Sequence, residues 1–399
     1  MLALSTIVAT AGCAGPGRTA SPVPPVASAS QGIPTVSPSP SEAPSAVPTA
    51  SPSPSDSPSP SPFGPSWSSL TLSKPVDATK PWDGAPSIVA WHGEFVGLGP
   101  IRVGKRTEDG VASSTDLVHW TVLASGAKAP AADSLLVGPA GLVAVVYDHA
   151  IQIWQSTDGV AWTPVTNLPF GTDYVDIVAG PKGLVAVQTY SQTALAWYSD
   201  DGSTWTSVES ARDTFGDNRV DAVYAGPTGF FAKSFTSNWV GWWSPDGREW
   251  LPAKADTGES LTYVPEVHFA ANGLLIGPSA AGDEWQSTDG QHWIRKPDDV
   301  TLRQPDDGYY YMLQIVDDGN RMVAFGALSD GSPHAWESFD GWTWTPLSLS
   351  ADARATSELG DWSIVYAALT PDGLTLFMAY SEPMHAASAM SVIRIAATP

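Results

Sequence analysis

The sequence is poor in the residues from which metal and disulfide sites are built. Its single cysteine, Cys13, excludes a disulfide framework and a cysteine-based zinc site. The seven histidines are scattered, and none has the His-x-x-x-His or His-Glu-x-x-His spacing of a metalloenzyme. We therefore expect no metal and no cofactor. Long helical heptads are also absent.

Basic residues are scarce as well, with 19 Lys and Arg against 41 Asp and Glu and a net charge of −22. A nucleic-acid partner is excluded because such a partner requires a basic stripe that displaces counterions from phosphates. The same acidity disfavours adsorption to anionic lipid. A membrane attachment therefore has to come from a covalent lipid.

What the sequence has in quantity is aromatic and turn-forming residues. It contains 18 Trp, 36 Gly and 36 Pro, while charged residues make up only 15%. This composition indicates an all-β protein with many short strands.

The first 13 residues form a short apolar run that ends in Thr10-Ala11-Gly12-Cys13. This start resembles a bacterial lipoprotein signal, in which small residues precede a cysteine that becomes lipidated. The resemblance implies a signal peptide at 1–13 with lipid attached to Cys13, and a location on the outer face of a bacterial membrane. An ordinary secretory signal, which would release the protein, is the alternative.

Residues 14–65 are dominated by Pro, Ser, Ala and Thr. Such a segment cannot bury a core, and repeated proline favours extended polyproline II. We predict a disordered, semi-rigid stalk that holds the domain at 66–399 away from its anchor.

The domain repeats one pattern six times, Ser-x-Asp-Gly-x-x-Trp, with Leu117 in place of the glycine in the first copy. Successive tryptophans are 42, 43, 45, 43 and 51 residues apart, which is the span of one four-stranded propeller blade. The aspartates of the six copies are Asp116, Asp158, Asp201, Asp246, Asp289 and Asp340.

These copies resemble the Asp-box, or BNR, repeat of sialidases and other secreted β-propellers. In such a turn the Asp and Ser side chains bond to nearby backbone groups, and the Trp ring packs between neighbouring sheets. We therefore expect the six aspartates to be structural rather than catalytic or calcium-binding.

Seven apolar hairpins alternate with the six copies, the first at 88–99 and the last at 368–380. A strand at 67–74 has no partner before the first hairpin, and one at 388–397 follows the last. If the N-terminal strand becomes the outer strand of the last blade, the ring closes without an exposed edge. The sequence thus predicts a seven-bladed β-propeller, with six blades as the alternative.

A ligand is expected on the rim opposite the Asp-box turns, where the links between blades and the middle loops lie. That rim carries most of the arginines and a tyrosine triplet that includes Tyr309 and Tyr310. Sialidases hold a substrate carboxylate with three arginines, and a guanidinium is suited to that ligand. The candidate rim arginines are Arg102, Arg106, Arg212, Arg219, Arg303 and Arg354.

The sequence contains no Ser–His–Asp pattern, P-loop or dinucleotide turn. We expect a monomeric cell-surface binding module, for a glycan or an extracellular protein, rather than an enzyme. A sialidase-type glycoside hydrolase and an assembly factor for another exported protein are the two alternatives.

Overall fold

The structure of the protein is a computed structural model. The structure describes residues 66–398 except 73–75, 78–80, 148–149, 171–174, 190–193, 235–239, 257–266, 271–272, 274, 279–283, 296–311, 318–319, 328–332, 352–361, 371–372 and 381–388. The predicted signal peptide with Cys13 and the predicted stalk at 14–65 lie outside the described residues. In the described part the chain forms thirty β-strands and one short α-helix, so the predicted all-β class is confirmed.

Two short strands, β1 (Ser69–Leu72) and β2 (Val76–Asp77), open the described chain. Unit one is an antiparallel four-stranded sheet of β3 (Ser87–Trp91), β4 (Glu94–Val103), β5 (Arg106–Ser114) and β6 (Thr121–Ser125). A 3-10 turn at Gly126–Lys128 leads to unit two. Unit two consists of β7 (Ser134–Gly138), β8 (Gly141–Tyr147), β9 (Ile151–Ser156) and β10 (Thr163–Pro164).

Units three and four have the same strand order. Unit three consists of β11 (Val175–Gly180), β12 (Gly183–Gln188), β13 (Ala196–Ser199) and β14 (Thr206–Ser207). The helix α1 (Glu209–Phe215) links it to unit four, and Phe215 is buried between the two units. Unit four consists of β15 (Ala222–Gly226), β16 (Gly229–Lys233), β17 (Gly241–Ser244) and β18 (Leu251–Pro252).

Strand β19 (Lys254–Ala255) continues from unit four and pairs in parallel with the last strand of unit five. Unit five consists of β20 (His268–Phe269), β21 (Leu275–Pro278), β22 (Glu284–Ser287) and β23 (His292–Arg295). Unit six consists of β24 (Met312–Asp317), β25 (Met322–Ala327), β26 (Pro333–Ser338) and β27 (Thr345–Ala351).

The last strands of the chain are β28 (Trp362–Thr370), β29 (Gly373–Tyr380) and β30 (Ala389–Thr398). Strand β1 pairs antiparallel with β30, with Ser69 opposite Thr398, and makes these three strands a four-stranded unit seven. Strand β1 also pairs in parallel with β27, which joins units six and seven into one nine-stranded sheet. The two ends of the described chain therefore lie side by side, as expected from the partnerless strand at 67–74.

Apolar side chains form one buried cluster at each junction between successive units, and seven such clusters occur among the described residues. The cluster between units two and three contains Val143, Ile177 and Trp197. Another contains Val392 of β30 together with Trp82 and Ile101, so unit seven also packs against unit one. Burial of these faces is what holds separate sheets together, since a sheet of this kind is apolar on both faces.

The first strands of the units contact one another as well: β3 with β7, β7 with β11, β11 with β15, β15 with β20, β24 with β28 and β28 with β3. At the junction of β20 with β24, His268 Nε2 lies 3.2 Å from Asp317 Oδ2. The first strands therefore lie on the inside of the arrangement, and the later strands of each unit lie farther out.

In units two, three and four, the first hairpin turns tightly against the third strand of its own unit. A Cβ atom on Gly141 would lie 2.5 Å from the Ser156 carbonyl oxygen, and one on Gly183 would lie 2.4 Å from the Ser199 carbonyl oxygen. Ser156 and Ser199 open the Ser-x-Asp turns of units two and three. The two motifs that alternate in the sequence are therefore in contact on one side of the molecule, here called the turn side. The links between units and the middle hairpins lie on the other side, the link side.

Candidate functional site

The six Ser-x-Asp turns use their polar side chains to close themselves. In the turn of unit two, the Gly159 amide donates to Ser156 Oγ at 2.8 Å. The amides of Val160 and Ala161 both donate to Asp158 Oδ1, each at 2.8 Å. The same Asp Oδ1 atom accepts two backbone amides in the turns of Asp116, Asp201, Asp289 and Asp340. In the fourth turn Asp246 Oδ1 accepts the Arg248 amide at 2.9 Å.

Hydrogen bonding stabilises the ionised form of the carboxyl group in five of the turns, those of Asp116, Asp158, Asp201, Asp289 and Asp340. Backbone donation from Ala161 and Val160 lowers the pKa of Asp158 below its usual 3.8. For Asp116, Asp289 and Asp340, partial burial opposes ionisation, but the hydrogen bonds outweigh it and the pKa is again lowered. The pKa of Asp201 is lowered chiefly by the Thr204 amide. A carboxylate held ionised by backbone amides is suited to a latch and is a poor proton donor.

The second oxygen of several turn aspartates contacts the residue three positions later. His119 Nδ1 lies 2.7 Å from Asp116 Oδ2, and His292 Nδ1 lies 2.7 Å from Asp289 Oδ2. In the turn of Asp340 the partner is the hydroxyl of Thr343, at 3.1 Å. These contacts are local to each turn, and through them the second carboxylate oxygen is also bound within its own turn.

Leu117, which replaces the glycine of the first turn, has the same left-handed backbone as the glycines. Its φ is 63°, compared with 73° for Gly159 and 75° for Gly202. Its side chain is 1% exposed and lies in the cluster between units seven and one. Burial of the leucine therefore offsets a backbone conformation that costs about 1–2 kcal/mol for a residue with a Cβ.

Each turn tryptophan packs into the junction before its own unit, for example Trp120 between units seven and one and Trp344 between units five and six. Trp67 occupies the corresponding junction between units six and seven and is 6% exposed. Trp67 is thus the tryptophan of unit seven, which has no Ser-x-Asp pattern of its own. The sequence carries one signal for this role, an isolated Trp at the start of the partnerless strand.

Polar side chains on the inner strands bridge one unit to the next. The Leu135 amide donates to Ser87 Oγ at 3.0 Å, from unit two to unit one. The Val223 amide donates to Asp176 Oδ2 at 3.1 Å, from unit four to unit three. Burial raises the pKa of Asp176, against the hydrogen bond from Val223. Together with the contact of His268 with Asp317, these hydrogen bonds connect the first strand of one unit to the first strand of the next at three junctions.

The four described rim arginines lie at two separate places on the link side. Arg102 in β4 and Arg106 at the start of β5 belong to the middle hairpin of unit one, where Arg102 Nη1 contacts Asp83 Oδ1 at 3.2 Å. Arg212 in α1 and Arg219 belong to the link before unit four, where Arg219 Nη2 contacts Asp221 Oδ1 at 2.6 Å. The remaining candidates lie outside the described residues: Arg303, Arg354, Tyr309 and Tyr310.

The structure contains buried charges that the sequence analysis missed. Arg321 is 7% exposed and Glu337 is 2% exposed, and Arg321 Nε lies 2.9 Å from Glu337 Oε1. Lys233 is 2% exposed, and its Nζ lies 5.2 Å from the centre of the Tyr224 ring. Buried charges require partners, and the sequence around these three residues did not indicate that they are buried.

A shallow groove lies on the turn side, between the first hairpins of units two and three. Its volume is about 350 Å³. Both of its walls are Gly-Pro turns with the preceding strand residue, and its lining is Val137, Gly138, Pro139, Ala179, Gly180 and Pro181. The sequence shows the two Gly-Pro turns but not their adjacency, because 42 residues separate Gly138 from Gly180.

The described residues contain no group of three or more His, Cys, Asp or Glu side chains placed to hold a metal ion. Within the same part of the chain, no helix has the length and apolar character needed to cross a membrane.

No protein-family model matches the sequence, and no curated protein matches it either. Solved structures do resemble it. YCF48 bound to a D1 peptide has a TM-score of 0.50 at 14% identity, over 82% of this chain and 95% of that one. YCF48 from Cyanidioschyzon merolae has a TM-score of 0.48 at 13% identity, over 81% and 99%. A polysaccharide lyase of family PL25, an ulvan lyase, has a TM-score of 0.43 at 12% identity, over 81% and 94%.

At such low identity a likeness shows the fold alone. The first of these structures, together with the four-stranded sheets of this chain, supports a β-propeller-like fold.

Proposed function

We propose that this chain is a seven-bladed, closed β-propeller that serves as a binding or interaction module on the outside of the cell. Seven four-stranded units, counting β1 with unit seven, support this blade number. The apolar cluster that joins Val392 of unit seven to Trp82 and Ile101 of unit one supports closure of the ring.

The observation that carries the interaction role is how the polar side chains of the ring are used. The turn aspartates bind backbone amides of their own turns, and Ser87 and Asp176 accept amides of the next inner strand. These groups build the scaffold. A rigid scaffold leaves its rims and loops as the functional surface.

We further propose export and lipid anchoring through Cys13, with residues 14–65 as the spacer. The lone cysteine lies directly after an apolar run and small residues, where lipidation needs it, and the Pro/Ser-rich segment follows at once. We expect the anchored protein to act as a monomer. The outer face of a bacterial membrane is then the site of action, with a secreted form as the alternative.

A protein or peptide is our first choice of partner, ahead of a glycan. The propeller-like protein YCF48, whose fold this chain shares, was solved with a bound D1 peptide. Assistance in the assembly of another exported protein would be one form of such an interaction. For sialidase-type hydrolysis the support is weaker, because Arg102 and Arg219 lie at separate places and each contacts an aspartate nearby.

Chemical cross-linking of the full chain in the envelope of cells that carry it tests the proposal, with mass spectrometry of the products. We expect one partner protein cross-linked to rim residues and lost when those residues are substituted. In parallel, the purified full chain is incubated with sialosides and with acidic polysaccharides. Release of sugar that depends on rim residues would overturn the interaction role and favour a hydrolase or lyase.

A further inference from the structure

The groove on the turn side of units two and three is lined by apolar side chains and by the backbone of its two Gly-Pro turns. Val137 is 39% exposed, and the lining on both sides consists only of Val, Ala, Gly and Pro residues. An apolar side chain that covers the Val, Ala and Pro side chains of the groove removes their apolar surface from water, which is favourable.

The groove walls are held in place from behind. Gly141 and Gly183, at the ends of the two turns, press against the carbonyl oxygens of Ser156 and Ser199. Gly138 backs onto Leu184, and a Cβ on Gly180 would lie 3.2 Å from the Phe230 ring. A groove with fixed walls binds without the cost of ordering them.

Acidic turns border the same walls. A Cβ on Gly183 would lie 3.5 Å from Asp200 Cα, and one on Gly141 would lie 3.2 Å from Thr157 Cα, next to Asp158. The charged groups of this edge, in units two to four, are five carboxylates and two cations: Asp158, Asp200, Asp201, Asp246, Glu249, Lys182 and Arg248. Arg248 is engaged by Asp200 and Asp246. The edge is therefore net negative, in a chain of net charge −22.

We infer that this groove docks one apolar side chain of an extended protein segment whose flanking residues are Lys or Arg. The inference rests on the proposed function and names the partner's chemistry. The apolar residue fills the space between Pro139 and Pro181, and the basic residues face the carboxylates of the neighbouring turns. Charge of this kind contributes association rate and selectivity, while the apolar contact contributes affinity.

Selection of peptides without prior choice of sequence tests the inference. A phage-displayed random dodecapeptide library is panned on the immobilised full chain. Each enriched peptide is then synthesised, and its binding is measured by fluorescence anisotropy. We expect peptides of net positive charge that contain an apolar residue, with affinity that falls as salt is raised.

Variants locate the binding. Val137→Arg fills the groove with a cation that repels the basic flanking residues of the peptide, and we expect it to weaken binding by about tenfold or more. The matched control is Val122→Arg, since Val122 is 44% exposed on the outer strand β6 of unit one. The control should bind within about twofold of the wild type, which corresponds to less than 0.5 kcal/mol. Ala179→Arg, on the opposite wall, provides a second groove variant if Val137→Arg does not fold by circular dichroism.

Two results would overturn the docking inference. One is a set of enriched peptides that bind Val137→Arg and Ala179→Arg as well as the wild type, which leaves the interaction function standing at another surface. The other is a set of peptides that depend on the groove but carry no basic residues, which would show that the acidic turns do not select the partner. Failure of the proposed function is a separate result, namely sugar release in the hydrolysis assay described above.

Discussion

The backbone amide of Trp67 donates to both carboxylate oxygens of Glu337, at 3.2 and 3.1 Å, across 270 positions of the chain. Arg321 completes the arrangement: it contacts Glu337 and lies 4.1 Å above the centre of the Trp67 ring. Glu337 immediately precedes the Ser-x-Asp turn of unit six, and Trp67 precedes β1. A carboxylate of the neighbouring unit thus binds the tryptophan of the one unit that lacks its own turn.

Removal of the Glu337 carboxylate should weaken the hold on the N-terminal strand. Glu337→Ala leaves Arg321 as a buried cation without this partner, and we expect a loss of about 3–5 kcal/mol in the free energy of unfolding. Urea unfolding followed by tryptophan fluorescence measures it. The control is Asp200→Asn, which breaks the exposed Arg248–Asp200 pair and should cost less than about 1 kcal/mol. Equal losses in the two variants would contradict the stabilising role of the contact between Trp67, Glu337 and Arg321.

The tight contact behind the hairpin of unit three predicts an intolerant glycine. Gly183→Ala places a Cβ 2.4 Å from the Ser199 carbonyl oxygen, at a φ of 130°. We expect a greater loss of stability than in Gly93→Ala, where φ is also positive, at 82°, but the Cβ meets open space. A positive φ alone costs a residue with a Cβ about 1–3 kcal/mol, and Gly183→Ala adds the contact with the Ser199 carbonyl oxygen, so thermal unfolding should show the larger loss for this variant. Indistinguishable unfolding curves would exclude that contact.

Replacement of Leu117 by glycine should destabilise the fold although glycine is the residue of the other turns. The change relieves about 1–2 kcal/mol of backbone cost but removes a buried leucine side chain, which costs about 2–5 kcal/mol. We expect a net loss of about 1–3 kcal/mol, measured by urea unfolding. A gain in stability would show that burial does not compensate for the left-handed backbone at this position.

The turn carboxylates predict a stability that falls in acid. Since the folded pKa of Asp158 is lowered below 3.8, its contribution is present above that value and is lost as the pH falls toward the folded pKa. Asp158→Asn keeps an acceptor for the amides of Val160 and Ala161 but has no charge. We expect the stability gap between wild type and Asp158→Asn to shrink as the pH falls from 6 to 3, by urea unfolding at each pH. The control is Thr157→Asn, at the exposed neighbouring position, whose difference in stability from the wild type should not change with pH. If the difference for Asp158→Asn were also constant, the charge of Asp158 would not contribute to stability.

The proposed lipid anchor makes a direct prediction about Cys13. In bacteria that express the full chain, mass spectrometry should find the mature N-terminus at Cys13 with a diacylglyceryl group, and the protein in the membrane fraction. Cys13→Ser should abolish lipid labelling and release the protein from membranes. The control is Ser30→Ala in the predicted stalk, which should change neither. A mature N-terminus elsewhere, without lipid, would establish the ordinary secretory alternative.

The repeated turns and the all-β class were determined by the sequence, because the interactions that form them are local. Asp158 binds amides two and three positions later, and Ser156 binds the amide three positions later. A pattern of seven residues therefore contains both partners of every bond, and its copies give the length of the unit. The partnerless strand at 67–74 also pointed to its place beside the last strand, because an unpaired edge has to be covered.

Only the tertiary structure decided which distant residues meet. Trp67 with Glu337 and the Gly-Pro turns of units two and three come together because neighbouring units pack against each other. Burial of Arg321 and the adjacency of Val137 to Ala179 depend on the rotation of one sheet against the next. The sequence does not encode that rotation in any single segment, since it results from the summed packing of apolar faces between units.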